Sequence, residues 1–466
     1  MNAPDTGDRP PRAGLRARAH ALLAAPRAAP VLLGAWIVSR LLAVVALGGS
    51  PLADDALDYH RMALALLSGE RFEPDWPPGL PLYLAIWYRL FGAHVWIGRL
   101  ALAVLSALSA GLLLVWLRRA AGVVAGNLAV LLLLCAPSQI VLAATPLTQV
   151  PAALLLLALA VATTGALARP TIGRALLVGG LLGGAMLVRP SNLLLVLVVP
   201  IAIAYRTRRL WMALVPAVVL VLLVGAWTAE ARHLTGRFVF INNANAQNLF
   251  YGNNPDTPLY RTWWFGSHKR GEPGVPETYL RRYEQVTALP PGERDHAFTR
   301  TALDHIEARP DLFVVRSLSR VRTFFAFDTF AGAQVIKEAD TRTVTAFGLV
   351  ALAEDGLCYL LVAALALLWL TSGTRDEPEP ERRAGLVAVG LTVLYAVPYF
   401  ASFSHPTYHF PVIPLLAAPA AFAGARGLRG ASIWPATRPR RRLLWAAWTA
   451  LLAIQIEWIA HMYSRV

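Results

Sequence analysis

Long apolar runs alternate with short polar segments along almost the whole chain of 466 residues. A helical run of about 20 apolar residues crosses the roughly 30 Å of hydrocarbon in a bilayer. The pattern predicts about eleven such helices and hence an all-α polytopic membrane protein. The predicted spans lie near residues 29–49, 95–117, 120–137, 147–168, 174–189, 191–205, 210–229, 344–371, 385–403, 410–427 and 443–461.

Arginines are concentrated in every second connection between these runs. The short opposite connections, 138–146 and 404–409, contain neither arginine nor lysine. Positive residues stay on the cytoplasmic side, so we expect a plasma (inner) membrane protein with a cytoplasmic N-terminus. The basic connections contain Arg118 and Arg119; Arg169 and Arg174; Arg206, Arg208 and Arg209; Arg375, Arg382 and Arg383; and Arg426, Arg429, Arg438, Arg440, Arg441 and Arg442.

This alternation divides the chain into four parts. Residues 1–28 form a basic cytoplasmic N-terminus, and residues 29–229 form a transmembrane module that includes a first extracytoplasmic loop, 50–94. Residues 230–343 form a large extracytoplasmic region, and residues 344–466 form a C-terminal transmembrane module. Within the first loop, the apolar stretch from Leu80 to Phe91 is too short to cross a bilayer and predicts an interfacial helix.

Composition supports this assignment, because 56% of the residues are hydrophobic and only 15% are charged. The net charge of +15 resides in the connections described above, so we predict no nucleic-acid partner. The two cysteines, Cys135 and Cys358, lie inside apolar runs, and we assign them neither a disulfide nor a metal site.

Three carboxylates, Asp54, Asp55 and Asp58, follow the first predicted span. Ionisable groups at a membrane boundary are costly and often functional. The alternative is structural, since Asp55 precedes a predicted helix, 56–67, and aspartate is a favoured N-cap residue. Charge alone leaves both interpretations open.

Five segments, in chain order, closely resemble the bacterial GT-C glycosyltransferases, the relatives of protein O-mannosyltransferases and of the lipid A aminoarabinose transferase. The resemblance therefore extends over most of the chain. The segments are 55–69 followed by Pro77-Pro78-Gly79 and Phe91-Gly92; Arg189-Pro190; 248–255; 308–313 leading to Arg316 and Arg320; and 405–414.

The resemblance implies a GT-C fold with a catalytic cavity between the helices and the first loop, roofed by 230–343. It implies transfer of a hexosyl or pentosyl group from a polyprenyl-phosphate donor to a hydroxyl of a lipid, glycan or protein acceptor, with inversion, at the outer face of the membrane. Asp55 matches the position of the family's aspartate and is the predicted general base, with Asp54 as its nearest rival.

The departing phosphate needs positive charge, for which arginine is well shaped. Arg189, Arg99 and Arg61 are the candidates, and the alternative for each is an arginine that extends its head group to water. The predicted sugar or acceptor contacts are Asp58, Tyr59, Trp76, Asn253, Tyr408 and His409. Aromatic residues also collect at bilayer boundaries, and asparagines also favour turns.

Two positions depart from the family pattern. Thr148-Gln149 stands where relatives usually carry an acidic residue, and His409 stands where they usually carry arginine. We assign no cofactor and no metal site, and a divalent metal held by His60, His405 and His409 with Asp55 is the alternative. The alternative to an enzyme is a lipid-linked glycan transporter or flippase, or a catalytically inactive GT-C-like scaffold. In each case membrane lipids are partners of the chain.

Overall fold

The protein is described by a computed structural model that covers residues 14–243, 246–260, 275–332, 342–373 and 377–463. Arg375 of the predicted basic connections, and residues 1–13 of the basic N-terminus, lie outside the described residues. The described residues form helices and connecting turns, without a strand. The predicted all-α class is therefore confirmed.

The helices are numbered here in chain order. Those before residue 236 are α1 (Leu15–Ala24), α2 (Ala28–Leu47), α3 (Asp54–Ser68), α4 (Gly79–Phe91), α5 (Val95–Ala121), α6 (Val123–Leu134), α7 (Pro137–Val141), α8 (Gln149–Ala168), α9 (Ile172–Val188), α10 (Leu193–Thr207) and α11 (Trp211–Thr235). Those after it are α12 (Gln247–Gly252), α13 (Glu277–Thr287), α14 (Pro291–Ala308), α15 (Pro310–Phe324), α16 (Arg342–Ser372), α17 (Glu379–Ala401), α18 (Ile413–Leu428) and α19 (Arg438–Tyr463).

Within the described chain, nine helices are long and apolar enough to cross a membrane. A tenth span is possible if α6 and the helical segment 137–144 count as one, although they meet at a bend of 87°. The span predicted near 120–137 thus corresponds to α6, which ends at Leu134, just before this bend. Pro137 explains the break, because proline lacks an N–H and begins a helix better than it continues one. The seventeen-residue α9 is apolar but shorter.

Helix α9 packs closely against α11 through glycine. A Cβ at Gly179 would lie 2.8 Å from the Pro216 backbone, and one at Gly183 would lie 2.6 Å from Leu223. Small residues four positions apart let two membrane helices approach until their backbones nearly touch. This packing fixes the end of α9, where Arg189 follows.

The first outer loop contains α3 and α4. Helix α4 has thirteen residues, which agrees with the predicted short interfacial helix. Its first residue, Gly79, lies directly against the last turn of α9, because a Cβ there would be 2.9 Å from the carbonyl of Leu187. The Trp76-Pro77-Pro78-Gly79 turn therefore brings the first loop against Leu187, two residues before Arg189.

The large outer region contains α12 to α15 and lies on the first loop. Arg237 forms an ion pair with Glu73, and the Asn243 side chain donates to Asp75 at 3.0 Å. The last helical part of this region is two helices, because α14 ends before Arg309 and Pro310 begins α15. The residue before a proline is disfavoured in the helical conformation, which accounts for the break.

Candidate active site

Arg189 lies at the end of α9, and its side chain is buried, with 9% of the residue exposed. Nε donates to the Thr148 hydroxyl at 3.1 Å. Nη1 donates to the hydroxyls of Tyr395 and Tyr399 at 3.2 and 3.1 Å. A guanidinium in this position is thus held on three sides by uncharged hydroxyl groups.

No carboxylate within the described residues forms an ion pair with Arg189. Its remaining nitrogen, Nη2, donates to none of the described residues. The guanidinium also lies over the ring of Tyr408, with 5.6 Å between Cζ and the ring centroid. A buried positive charge is usually paired, so this one is suited to an anionic ligand.

Asp55 lies in the first turn of α3, which begins at Asp54 after the N-cap residue Ala53. The N-cap residue is Ala53, which makes no side-chain cap hydrogen bond, so Asp55 does not occupy the N-cap position. Asp55 is exposed to solvent. Desolvation of its carboxylate, and then the negative charges of Asp58 and Asp54, raise the pKa of Asp55 to about 6. The positive charge of Arg189 acts on the same pKa in the opposite direction, so it lies close enough to influence Asp55.

Asp58, Tyr59 and Trp76 form one group beside Asp55. The indole N–H of Trp76 donates to Asp58 at 3.2 Å, and the rings of Tyr59 and Trp76 lie 5.9 Å apart. Tyr59 is 4% exposed, and burial, followed by the charge of Asp55, raises the pKa of its phenol. Tyr59 therefore stays neutral beside Asp55.

Asp54 has an unusual backbone, with φ of +49°. Non-glycine residues rarely adopt this conformation, although aspartate tolerates it better than most. The conformation bends the chain at the start of α3, one residue before Asp55.

The structure separates Tyr408 from His409. Tyr408 lies beside Arg189 and beside Tyr399, whose ring is 5.1 Å away. His409 points into the core, where Nδ1 is 2.7 Å from the carbonyl oxygen of Phe324 and the imidazole stacks on Tyr359 at 4.7 Å. Only Tyr408 of this pair reaches the group around Arg189.

The two other predicted phosphate-binding arginines lie apart from Arg189. Arg99 is 3% exposed, and its terminal nitrogens donate to the carbonyls of Ala144 and Ser50, each at 2.9 Å. Arg61 is exposed on α3. Arg99 ties the start of the first loop to the end of the helical segment 137–144.

Asn253 lies in a different cluster, beneath the outer region. Its amide donates to the carbonyls of Leu249 and Ala401 at 3.0 and 2.9 Å and accepts from Arg320 at 3.1 Å. Arg320 is fully buried and also donates to the carbonyls of Phe400 and Ala401 and to that of Gly252. These bonds fasten the 248–255 segment to the end of α17, where helix carbonyls lack partners.

The three histidines of the metal alternative do not converge. His60 is hydrogen-bonded to Tyr88 at 2.8 Å, and His405 accepts from the backbone of Thr407. Among the described residues, no group of three or more His, Cys, Asp or Glu side chains is placed to hold a metal ion.

Sequence reasoning missed Tyr395 and Tyr399, which hold Arg189. Their hydroxyls are 3.1 Å apart, and Ser191 lies 2.8 Å from Tyr399. The available signal was the spacing of two tyrosines four residues apart in an apolar helix, which places both on one face. Thr148, noted as a departure from the family pattern, is a direct partner of Arg189.

No protein-family model matches the sequence, and no curated protein matches it. Similar solved structures include ArnT from Cupriavidus metallidurans bound to undecaprenyl phosphate, with 17% identity and a TM-score of 0.40 over 84% of this chain and 76% of that one. The apo state of the same protein gives 17% identity and a TM-score of 0.39 over the same shares. The archaeal oligosaccharyltransferase AglB from Archaeoglobus fulgidus, in complex with an inhibitory peptide and a dolichol-phosphate, gives 12% identity and a TM-score of 0.41 over 92% of this chain and 55% of that one.

Proposed function

We propose that this protein is a glycosyltransferase that moves a sugar from a polyprenyl-phosphate donor to an acceptor hydroxyl, with inversion at the anomeric carbon. The observation that carries the proposal is that Arg189 lies close enough to Asp55 to influence its pKa without forming an ion pair with it. A buried guanidinium without a carboxylate partner lies in the same site as a carboxylate whose pKa is raised to about 6.

Arg189 is the proposed phosphate ligand. Its free Nη2 and its positive charge suit the oxygen atoms of a departing phosphate. Thr148, Tyr395 and Tyr399 hold the guanidinium without neutralising it, because all three are uncharged hydroxyl donors or acceptors. Arg99 is proposed to position the first loop through its two carbonyl contacts.

Asp55 is the proposed general base. The acceptor oxygen attacks the anomeric carbon from the face opposite to the phosphate, and the bond from that carbon to the phosphate oxygen breaks. The acceptor proton passes to the Asp55 carboxylate, and the negative charge that leaves with the carrier phosphate is stabilised by Arg189. A base with a pKa near 6 is ionised at neutral pH and accepts a proton more readily than an ordinary aspartate.

Tyr59, Trp76 and Tyr408 are the proposed walls of the sugar or acceptor site, and Asp58 orients Trp76. Aromatic faces suit the apolar face of a sugar ring or a polyprenyl chain. His409 and Asn253 support the site indirectly, through Phe324 and through the end of α17.

The orientation we propose places Asp55 and Arg189 outside the cell. Helices α5, α8, α10 and α18 begin on the side of this site, and α17 ends there, so their other ends lie at the far end of the bundle. Those far ends carry the basic connections, which are cytoplasmic by the positive-inside rule. Reporter fusions after Arg209 and within 275–290 test this orientation, and we expect a cytoplasmic signal from the first and an extracytoplasmic signal from the second. A cytoplasmic signal from the second fusion would contradict the orientation.

The function is tested in a strain that lacks the gene. Mass spectrometry of its membrane glycolipids and cell-wall glycans should show loss of a hexose or pentose mass. The parental gene should restore that mass and the Asp55→Asn variant should not, at equal protein levels. An unchanged glycan profile in the deletion strain, or full restoration by the variant, would refute the proposal.

A further inference from the structure

A second space lies at the end of the bundle opposite to Asp55. We call it the basal cavity; its volume is about 970 Å³. It is open on one side and is lined by the end of α5, the end of α16, the start of α17 and the segment that joins α18 to α19. None of its lining residues belongs to the candidate active site.

The basal cavity carries net positive charge. Three arginines and one glutamate line it: Arg426, Arg429, Arg441 and Glu381. Arg426 is neutralised, because it lies 2.9 Å from the buried carboxylate of Glu377 and 3.4 Å from that of Glu381. Within the described residues, neither Arg429 nor Arg441 forms an ion pair.

Arg441 is held in place at the mouth of this cavity. Its Nε donates to the carbonyl of Pro435 at 2.8 Å. Arg429 lies near Glu381, whose carboxylate is 3.4 Å from Arg426. Two exposed guanidinium groups therefore line one cavity, and neither forms an ion pair with a described residue.

An apolar groove adjoins the basal cavity. We call it the leucine groove; its volume is about 570 Å³, and Leu128, Leu132, Leu361 and Leu365 line it, with Arg16 as its one charged wall residue. These leucines belong to α6 and α16, and α16 is long and apolar enough to cross a membrane. The groove and the cavity share Ala431, Ser432 and Trp434 as wall residues. A positively charged space thus opens directly into an apolar one.

Three tryptophans mark the level of the membrane surface here. The rings of Trp434, Trp445 and Trp448 lie 5.4 to 6.1 Å from one another. Trp434 and Trp445 are 48% and 58% exposed. Tryptophan concentrates at the level of lipid head groups, so the basal cavity lies at head-group depth and the leucine groove lies deeper.

We propose that the basal cavity and the leucine groove together bind one anionic phospholipid of the adjoining leaflet. Arg429 and Arg441 contact its phosphate, and one acyl chain occupies the leucine groove. Basic pockets between transmembrane helices are known to suit such head groups. A free phosphate ion would leave the groove unused. The phosphate of the proposed sugar donor belongs at Arg189, at the other end of the bundle.

The test is native mass spectrometry of the delipidated full-length protein. The probes are phosphatidylglycerol and phosphatidylcholine with identical acyl chains. We expect preferential binding of phosphatidylglycerol. Its affinity should fall on the order of tenfold or more in the double variant Arg429→Gln/Arg441→Gln, because each arginine near an anionic lipid head group strengthens binding. The matched control, Arg169→Gln/Arg206→Gln, removes two exposed arginines of other basic connections and should bind as the parent does.

A second variant tests the shape of the site without changing its charge. Ser432→Trp fills the junction between cavity and groove and should also weaken phosphatidylglycerol binding. Equal affinity for the two lipids, or equal losses in the double variant and its control, would overturn the proposal. So would displacement of phosphatidylglycerol by inorganic phosphate alone, or by undecaprenyl phosphate at lower concentration. None of these measurements uses glycosyl transfer, so the result is independent of the proposed function.

Discussion

Arg189 and Arg320 are both buried arginines near the end of α17, yet their surroundings differ. Arg320 donates to backbone carbonyls of the 248–255 segment and of the end of α17, and its terminal nitrogens are both occupied. Arg189 contacts only side-chain hydroxyls and a tyrosine ring, and its Nη2 has no partner among the described residues.

The comparison teaches that burial of an arginine does not by itself indicate function. The last carbonyls of a helix have no donor within the helix, and an apolar setting offers none. Arg320 supplies the missing hydrogen bonds at the end of α17, so its role there is structural. Hydroxyl groups can instead bond to one another or to water, so the fold does not require Arg189 in the same way. The partner type separates a structural arginine from a ligand-binding one.

The largest expected effect concerns the carboxylate that shares the site with Arg189. Asp55→Asn keeps the size of the side chain but cannot accept a proton, so turnover should fall roughly a hundredfold to ten-thousandfold. The measurement is turnover per molecule of monodisperse, detergent-purified enzyme. Asp54→Asn and Asp58→Asn are the matched controls and should cost less. Near-parental turnover in the Asp55 variant would remove Asp55 as the base.

The next effect is on stability at the structural arginine. Arg320→Ala leaves several buried carbonyls without donors, each costing about 1–3 kcal/mol, so the free energy of unfolding should fall by about 3 kcal/mol or more. Thermal unfolding in detergent measures this. A parental Tm for Arg320→Ala would contradict the structural role.

Arg189→Ala should give the converse result. The loss of a charged hydrogen bond to phosphate costs roughly 1.5–3 kcal/mol, so transfer efficiency should fall about tenfold or more. The Tm should change little, because the Tyr395 and Tyr399 hydroxyls already lie within hydrogen-bond distance of each other. Arg189→Lys keeps the charge without the planar fork and should recover part of the activity. Donor saturation curves equal to the parent would exclude Arg189 from the site.

The pH dependence sharpens the assignment of Asp55. Below a pKa of about 6 the carboxylate is protonated and cannot accept a proton, so kcat/KM should fall about tenfold per pH unit as the pH decreases. Asp58→Asn removes one of the negative charges that raise this pKa, so the acidic limb should move to lower pH. If the acidic limb did not move in Asp58→Asn, the group that titrates in the pH profile would not be Asp55.

The smallest effect is expected at the tyrosines that position Arg189. Tyr399→Phe removes a hydroxyl that accepts from Arg189, and one neutral partner contributes about 0.5–1.5 kcal/mol, so KM for the donor should rise severalfold. The turnover number and the pH profile should stay near the parental values, since Asp55 is unaffected. A lowered turnover number with unchanged KM would assign Tyr399 a role in the reaction itself.

The sequence by itself determined the helical class and most helix positions. A hydrocarbon environment requires every backbone group to be bonded internally, so long apolar runs must be helices. Local motifs also predicted the interfacial helix α4 and singled out the Asp54 to Asp58 cluster. The bend after α6 was missed, because the run around Pro137 is apolar enough to read as continuous.

The tertiary structure alone decided which arginine has which partner. Arg99 and Arg189 lie near predicted span ends and Arg61 lies in the predicted first loop, and hydropathy does not show which groups each arginine contacts. Their difference depends on distant groups: Tyr395 is 206 positions from Arg189, and Ala144 is 45 positions from Arg99. Hydropathy fixes how far each helix extends, whereas helix packing, such as that of Gly179 and Gly183 against α11, fixes which side chains meet.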